Sequence, residues 1–219
     1  MQGLMMKGLM RQFAKPEGVL GRLAGWIMAH RSSNIRRNQW TVELLGLGPE
    51  DQVLEIGCGP GLALGYAAGR LAGGQTGGRV TGLDHSAVML GQAARRNRRE
   101  MAAGKVRLQQ GGLDQLAEMI EAFDQVYSVN VFMFFPDPDA ALNLCWNALK
   151  PGGQLATAYM PRHRGARPED TRLFAEDLAR RMVQQGFQRI RTETLDLRPI
   201  PAVCVLGQKP GVFIPAGLG

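Results

Sequence analysis

The residues best suited to chemistry in this 219-residue chain surround its barest backbone. Three glycines alternate with other residues at Gly57, Gly59 and Gly61, directly behind an apolar run, Val53-Leu54-Glu55-Ile56, that carries one acid. Glycine adopts positive φ freely and lets a ligand lie against the main chain, so this triplet can cradle a small molecule. A second acid, Asp84, closes the next apolar run, and a carboxylate has the acceptor oxygens to take both hydroxyl protons of a ribose. The spacing excludes two common nucleotide sites. A dinucleotide fingerprint would need its third glycine at Leu62. A triphosphate loop needs Gly-Lys-Ser/Thr, and here Gly61-Leu62-Ala63 offers neither amine nor hydroxyl.

Those residues need elements to hold them. The apolar run, the glycines and the small-residue pattern from Leu62 to Leu71 read as buried strand, tight turn and helix. The glycine-rich stretch 73–78 reads as a connector, and 79–84 as a second strand. Strand, helix and strand, closed by an acid about 20 residues past the glycines, is a geometry in which that acid bonds ribose hydroxyls. The alternative for Asp84 is a cap on the helix starting at Ser86. Further strands fall at 106–110, 123–131 and 154–160, with Asp137 capping a helix whose first residue is Pro138. Four arginines in residues 95–99 read as a solvated helix face. After a helix over 171–185, strands at 188–195 and 202–207 have no helix between them and are predicted to pair antiparallel. The expected fold is α/β: a doubly wound, seven-stranded, mostly parallel sheet with an antiparallel edge strand and helices on both faces.

Four ordered stretches carry a family resemblance over about residues 50–208. Glu55-x-Gly57-x-Gly59-x-Gly61 resembles the first motif of class I S-adenosylmethionine-dependent methyltransferases, and Gly82-Leu83-Asp84-His85-Ser86-x-x-Met89-Leu90 resembles the second. Asn130 stands near the end of the fourth strand, and Leu149-Lys150-Pro151-Gly152-Gly153 is similar to the family's helix stop before the fifth. The resemblance implies S-adenosyl-L-methionine as cofactor, with the glycine turn under its methionine part and Glu55 helping to orient its amino group. It also implies an acid beyond the third strand that accepts from the adenine amino group. Asp114 matches that place and is equally placed to cap a helix over 115–121. The implied cofactor set is Glu55, Gly57, Cys58, Gly59, Gly61, Asp84, His85, Leu113, Asp114 and Asn130.

The acceptor side is less explicit. Base- and glutamine-directed members of this family carry Asn/Asp-Pro-Pro-Tyr/Phe after the fourth strand. This chain has Asn130-Val131-Phe132-Met133-Phe134-Phe135, whose missing prolines argue against planar amines on nucleobases. Four bulky apolar residues in succession cannot all point inward, so Phe132, Phe135 and Met160 are the expected pocket wall. A sulfonium methyl is already activated, so a base is needed only for an acceptor protonated at neutral pH. His163, in the basic loop 161–168, and His30 are the available bases, and both also read as solvated side chains. The expected reaction is methyl transfer to a small-molecule or lipophilic metabolite by in-line positioning. RNA or protein acceptors form the rival reading, and a catalytically silent cofactor scaffold or activating subunit a third.

Bulk properties set the frame. The length suits one domain, and no apolar run approaches the roughly 18 residues of a membrane span. Lys7 and Arg11 break the apolar start, and no small-residue cleavage site follows. Cys58, Cys145 and Cys204 form neither a disulfide framework nor a metal pattern, so a reducing cytoplasm is expected. A net charge of +7 permits nucleic acid as partner without favouring it, because the composition is rich in arginine throughout. Oligomeric state is left open. Residues 1–48 are expected to form a helical cap, with helical spacing at Val19, Leu20, Leu23, Ile27 and Met28 and again from Trp40 to Leu47. Between them 30–38 reads as a polar loop ending in a cap at Asn38. Residues 49–208 then form the methyltransferase domain and 209–219 a flexible tail.

Overall fold

The computed structural model describes residues 32–72, 77–163 and 165–211. His30 and the apolar positions from Val19 to Met28 lie outside them. Helix α1 (Ser32–Leu45) leads into β1 (Gln52–Ile56), α2 (Leu62–Ala68), β2 (Arg79–Asp84), α3 (Ala87–Arg96), α4 (Arg98–Ala102) and β3 (Val106–Gln110). A 3-10 turn (Leu113–Glu118) follows, then β4 (Phe123–Val129), a second such turn (Phe132–Phe134), α5 (Pro138–Ala148), β5 (Leu149–Tyr159), α6 (Pro168–Gln185), β6 (Gln188–Leu195) and β7 (Ala202–Gln208).

The seven strands form one sheet in the order β3-β2-β1-β4-β5-β7-β6. β1 pairs parallel with both β2 and β4, so the chain winds outward first on one side of β1 and then on the other. That reversal opens a crevice at the carboxyl ends of β1 and β4, where doubly wound sheets bind ligands. The expected antiparallel pairing is present, with β7 antiparallel to both β5 and β6. β7 lies inside because Ala202-Val203-Cys204-Val205-Leu206 is buried throughout, whereas β6 alternates charged, exposed residues suited to an edge.

Strand alternation divides the core between the two faces of the sheet. Leu54 and Ile56 of β1 join Val126, Leu142, Leu155 and Val205 on one face. Val53 joins Leu64, Ala67, Ala156 and Leu206 on the other, beneath α1 and α2. All three cysteines are free and buried. No helix among the described residues is long and apolar enough to cross a membrane.

Four local expectations change. Residues 32–38 are helical rather than a loop, and Asn38 sits inside α1, donating from Nδ2 to the Asn34 carbonyl at 2.7 Å. The buried face of that first half is polar (Asn34, Arg37 and Thr41), so it shows no apolar periodicity. The helix after the glycine turn stops at Ala68 rather than Leu71. The arginine stretch is broken at Asn97, which ends α3 and stands before α4 without a side-chain bond to it. β5 begins at Leu149, directly after α5, so the Lys-Pro-Gly-Gly turn is a kink within a strand, with Gly152 at φ +83°. Lys209 is anchored there, its ammonium donating to the carbonyls of Leu149 (2.7 Å) and Trp146 (3.1 Å) at the end of α5. Residues 212–219, most of the expected tail, lie outside the described set.

Candidate active site

The turn leaving β1 has Gly57, Gly59 and Gly61 at φ of +65°, +52° and +74°. They are needed for different reasons. A Cβ on Gly57 would sit 2.5 Å from Val131 Cγ2, and one on Gly61 would meet Asn97 Nδ2 at 2.6 Å and the Ala93 Cα at 2.9 Å. Around Gly59 nothing lies within 4 Å of that position. Packing demands the outer two, while the middle one is an open ledge of main chain. The N–H groups of Gly57 and Cys58 both donate to the Leu83 carbonyl, at 2.7 and 3.1 Å, tying the turn to the end of β2.

Asp84 stands beside the ledge, nearly buried, and its Oδ2 accepts from the Gly59 N–H at 2.8 Å. Its Oδ1 accepts from the Ser86 N–H at 2.8 Å. The cap of α3 is Ser86, whose Oγ accepts from the Met89 N–H, so Asp84 supports the turn and does not cap the helix. Each carboxylate oxygen still has a lone pair available. His85 is half-exposed, with Nδ1 3.9 Å from Asp84 Oδ1.

Glu55 lies behind the turn at 2% exposure and accepts a hydrogen bond from the Tyr127 hydroxyl at 2.9 Å. Burial pushes its carboxyl up to about 8, with the Asp84 charge adding to the rise and the Tyr127 bond opposing it. The Cys58 thiol is also buried and raised, first by burial and then by the charges of Glu55 and Asp84, so only its main chain can face a ligand. Beyond β3 the cap of the 3-10 turn is Gly112, and Asp114 is exposed in its first turn, which corrects the capping alternative. Leu113 is half-buried against the core.

Asn130 turns the chain at the end of β4 with φ +57°, a conformation asparagine tolerates better than most residues. Its Nδ2 donates to the Met160 carbonyl and its Oδ1 accepts from the Met160 N–H, both at 2.8 Å. The side chain thereby clamps β4 to the end of β5. The expected pocket wall changes. The 3-10 turn drives Phe132 into the core, edge-on to the half-buried Phe135 at 5.3 Å, and leaves Phe134 exposed. Met160 is buried against Leu197 and Ala202. His163, half-exposed, has Nε2 3.6 Å from Asp170 Oδ2 at the start of α6.

Three contributors were not legible as site residues. Tyr127 pairs in register with Glu55. Asn97, almost wholly buried, donates to the carbonyls of Gly61 (2.8 Å) and Ala93 (3.0 Å), locking the third glycine to α3. A lone asparagine amid arginines was its only trace in the sequence. The third is Arg37, at 3% exposure. Its Nη2 donates to Asn34 Oδ1 at 2.6 Å and its Nη1 contacts Met160 Sδ at 3.3 Å, while Nε has no partner. Burial, and then the nearby Arg162 charge, lower this guanidinium to about 9. Arg162 donates to the same Asn34 oxygen.

Comparison with known proteins agrees with this geometry. The sequence profile described as a methyltransferase domain matches residues 53–153. The chain is 32% identical over 188 residues to a Bacillus subtilis (strain 168) protein named uncharacterized methyltransferase YdaC, covering 86% of this chain and 98% of that one. It is 33% identical over 124 residues to a ubiquinone biosynthesis O-methyltransferase of Pseudomonas fluorescens, covering 56% of this chain and 49% of the relative. Among solved structures, a SAM-dependent methyltransferase from Aquifex aeolicus superposes with a TM-score of 0.64 at 18% identity, covering 81% of this chain and 93% of that one, and so shares the fold. A bare glycine ledge beside a strand-ending carboxylate, at the switch point of this sheet, completes the assignment: the chain belongs to the class I S-adenosylmethionine-dependent methyltransferases.

Proposed function

We propose that this methyltransferase acts on a small-molecule acceptor and works by positioning, without a dedicated base. S-adenosylmethionine supplies a methyl group already activated on a sulfonium. The observation that carries the site assignment is Gly59, left-handed, open above its Cα and tied to Asp84. In this reading Gly57, Gly59 and Gly61 form the ledge, and Asp84 holds ribose hydroxyls with its remaining lone pairs. Glu55 provides the acid whose ionised form a cationic amino group favours. His85, Leu113 and Asp114 flank the adenine end by resemblance alone.

The small-molecule acceptor is supported from two sides. Asn130 is followed by Val131-Phe132 rather than the prolines of base-directed members, and its amide is held by the Met160 peptide at both polar atoms, which leaves Oδ1 one lone pair and Nδ2 one hydrogen. The ubiquinone biosynthesis relative, by its name, serves a small-molecule pathway. The lipophilic version loses ground, because Phe132 belongs to the core. One observation favours RNA instead: a polar surface hollow of about 400 Å³ lined by Arg95, Arg96, Arg98, Arg99 and Glu100. Incubation of the protein with methyl-labelled cofactor and cell extract separates the two. Label in the small-molecule fraction, without the steep salt dependence of binding to many phosphates, is expected. Label confined to RNA, falling steeply between about 50 and 200 mM salt, would overturn the reading.

A further inference from the structure

Arg37 is a buried cation with no anion beside it among the described residues. The partners it does have are a neutral amide and a thioether. Buried guanidinium groups are ordinarily matched by carboxylates, because a lone desolvated charge opposes folding. The mismatch is specific to one edge. Nε–H and one Nη–H of a guanidinium form a two-point fork that fits the two oxygens of a carboxylate. In Arg37 the Nη2 position is taken by Asn34 Oδ1, and the Nε position has no acceptor. A second guanidinium, Arg162, reaches the same amide oxygen from the loop after β5. Two cations thus converge on one neutral atom.

Their place in the fold matters as much as their charge. Met160 directly follows β5, its peptide is clamped by Asn130 at the end of β4, and the next residue, Val131, packs against Gly57. Arg37 therefore sits at the same end of the sheet as the glycine turn. β4 and β5 are successive neighbours of β1, which places that position roughly 10 Å across from it at the usual strand spacing. A small molecule can bridge that distance.

Resting on the methyl-transfer reading above, we propose that Arg37 and Arg162 bind the carboxylate of an anionic acceptor, which takes the place of the Asn34 amide oxygen along the Arg37 fork. A planar carboxylate uses both of its oxygens on one fork and leaves none unpaired in this buried place, whereas a phosphate bound the same way would bury a further oxygen without a donor on the fork. The lone buried charge is then retained for binding rather than for stability.

The test uses the full chain, as wild type, Arg37→Met and Arg162→Ala, each titrated calorimetrically with S-adenosylmethionine. Cofactor affinity should agree within about twofold among the three. Labelled methyl transfer to an extract split by anion exchange should appear in the acidic small-molecule fraction. It should fall at least tenfold in Arg37→Met and severalfold in Arg162→Ala. With S-adenosylhomocysteine bound, succinate at constant ionic strength should raise the wild-type Tm saturably and leave Arg37→Met unmoved. Inorganic phosphate should do neither. Arg37→Met should be no less stable than wild type in the absence of ligand. Label in neutral or basic products, acidic products formed equally by Arg37→Met, or stabilisation by phosphate alone would overturn the proposal while leaving methyl transfer intact. Failure of the wild type to bind S-adenosylmethionine would remove the reading beneath it as well.

Discussion

Two parts of the same crevice are built on opposite plans. The β1–α2 turn presents bare main chain at Gly59, and side chains tie it in place: Asp84 on the Gly59 N–H and Asn97 on the Gly61 carbonyl. The α1–β5 corner is made of polar side chains buried against one another, with Asn34, Arg37 and Met160 in contact and Asn130 holding the strand ends together. Main chain of that shape admits few residue types, so its plan is written in composition. A buried cluster of arginine and asparagine uses residue types found anywhere on a protein surface.

Substituting the glycines separates shape from ligand most sharply. Gly61→Ala places a Cβ against the Ala93 backbone and the Asn97 amide in a left-handed conformation, and should cost about 2–5 kcal/mol of folding stability. Gly59→Ala meets no neighbour and should cost only about 1–2 kcal/mol, for the φ alone, while abolishing cofactor binding. Denaturant titration and calorimetry on the two proteins read the two effects separately. Equal stability losses would erase the distinction between packed and open glycines.

Asp84→Ala is the next largest. It removes the carboxylate that accepts from the Gly59 N–H and, in the proposed reading, from the ribose hydroxyls, so cofactor affinity should fall more than tenfold, at about 1.5–3 kcal/mol for each charge-assisted bond. Unchanged affinity by calorimetry would reduce Asp84 to a support for the turn.

The contrast also explains what the sequence revealed. The glycine spacing and the strand-ending Asp84 located the ledge because few other residues satisfy that geometry, and strand–helix alternation gave the sheet. The start of α1 was hidden because its buried face is Asn34, Arg37 and Thr41, and apolar periodicity is blind to a polar stripe turned inward. Phe132 misled for the converse reason. A run of bulky apolar residues shows that some are buried, but the 3-10 turn decides which ring goes in. Asn130 is legible as the end of β4, but its clamp on Met160 is not, since that clamp joins residues thirty apart and leaves no local pattern.

Glu55 tests the supporting layer behind the ledge. In the folded chain its carboxyl holds a proton up to about 8, whereas in the unfolded chain it loses it near 4.5. Over that window the folded state binds more protons, so this group's contribution to stability is full at the acid end and declines as pH rises, by on the order of 1 kcal/mol per pH unit. Glu55→Gln keeps an acceptor for Tyr127 and should flatten the slope of Tm against pH between those limits. A slope that survives the substitution would place the linkage elsewhere.

The smallest effect should come from the residue that looked most like a catalyst. The Nε2 of His163 lies 3.6 Å from Asp170 Oδ2, half-exposed beside the start of α6, an arrangement that fits a loop tether. Exposed pairs of this kind contribute about 0–1 kcal/mol, so His163→Ala should change stability little. If transfer depends on positioning alone, kcat should also stay within about threefold, because general-base removal ordinarily costs about 100-fold or more. The variant thereby weighs the two sides of the crevice against each other. A large fall in kcat at unchanged KM, with loss of an ionisation near the imidazole range from the pH profile, would mean that the acceptor arrives protonated. His163 would then be the group that deprotonates it, and positioning alone would not account for transfer.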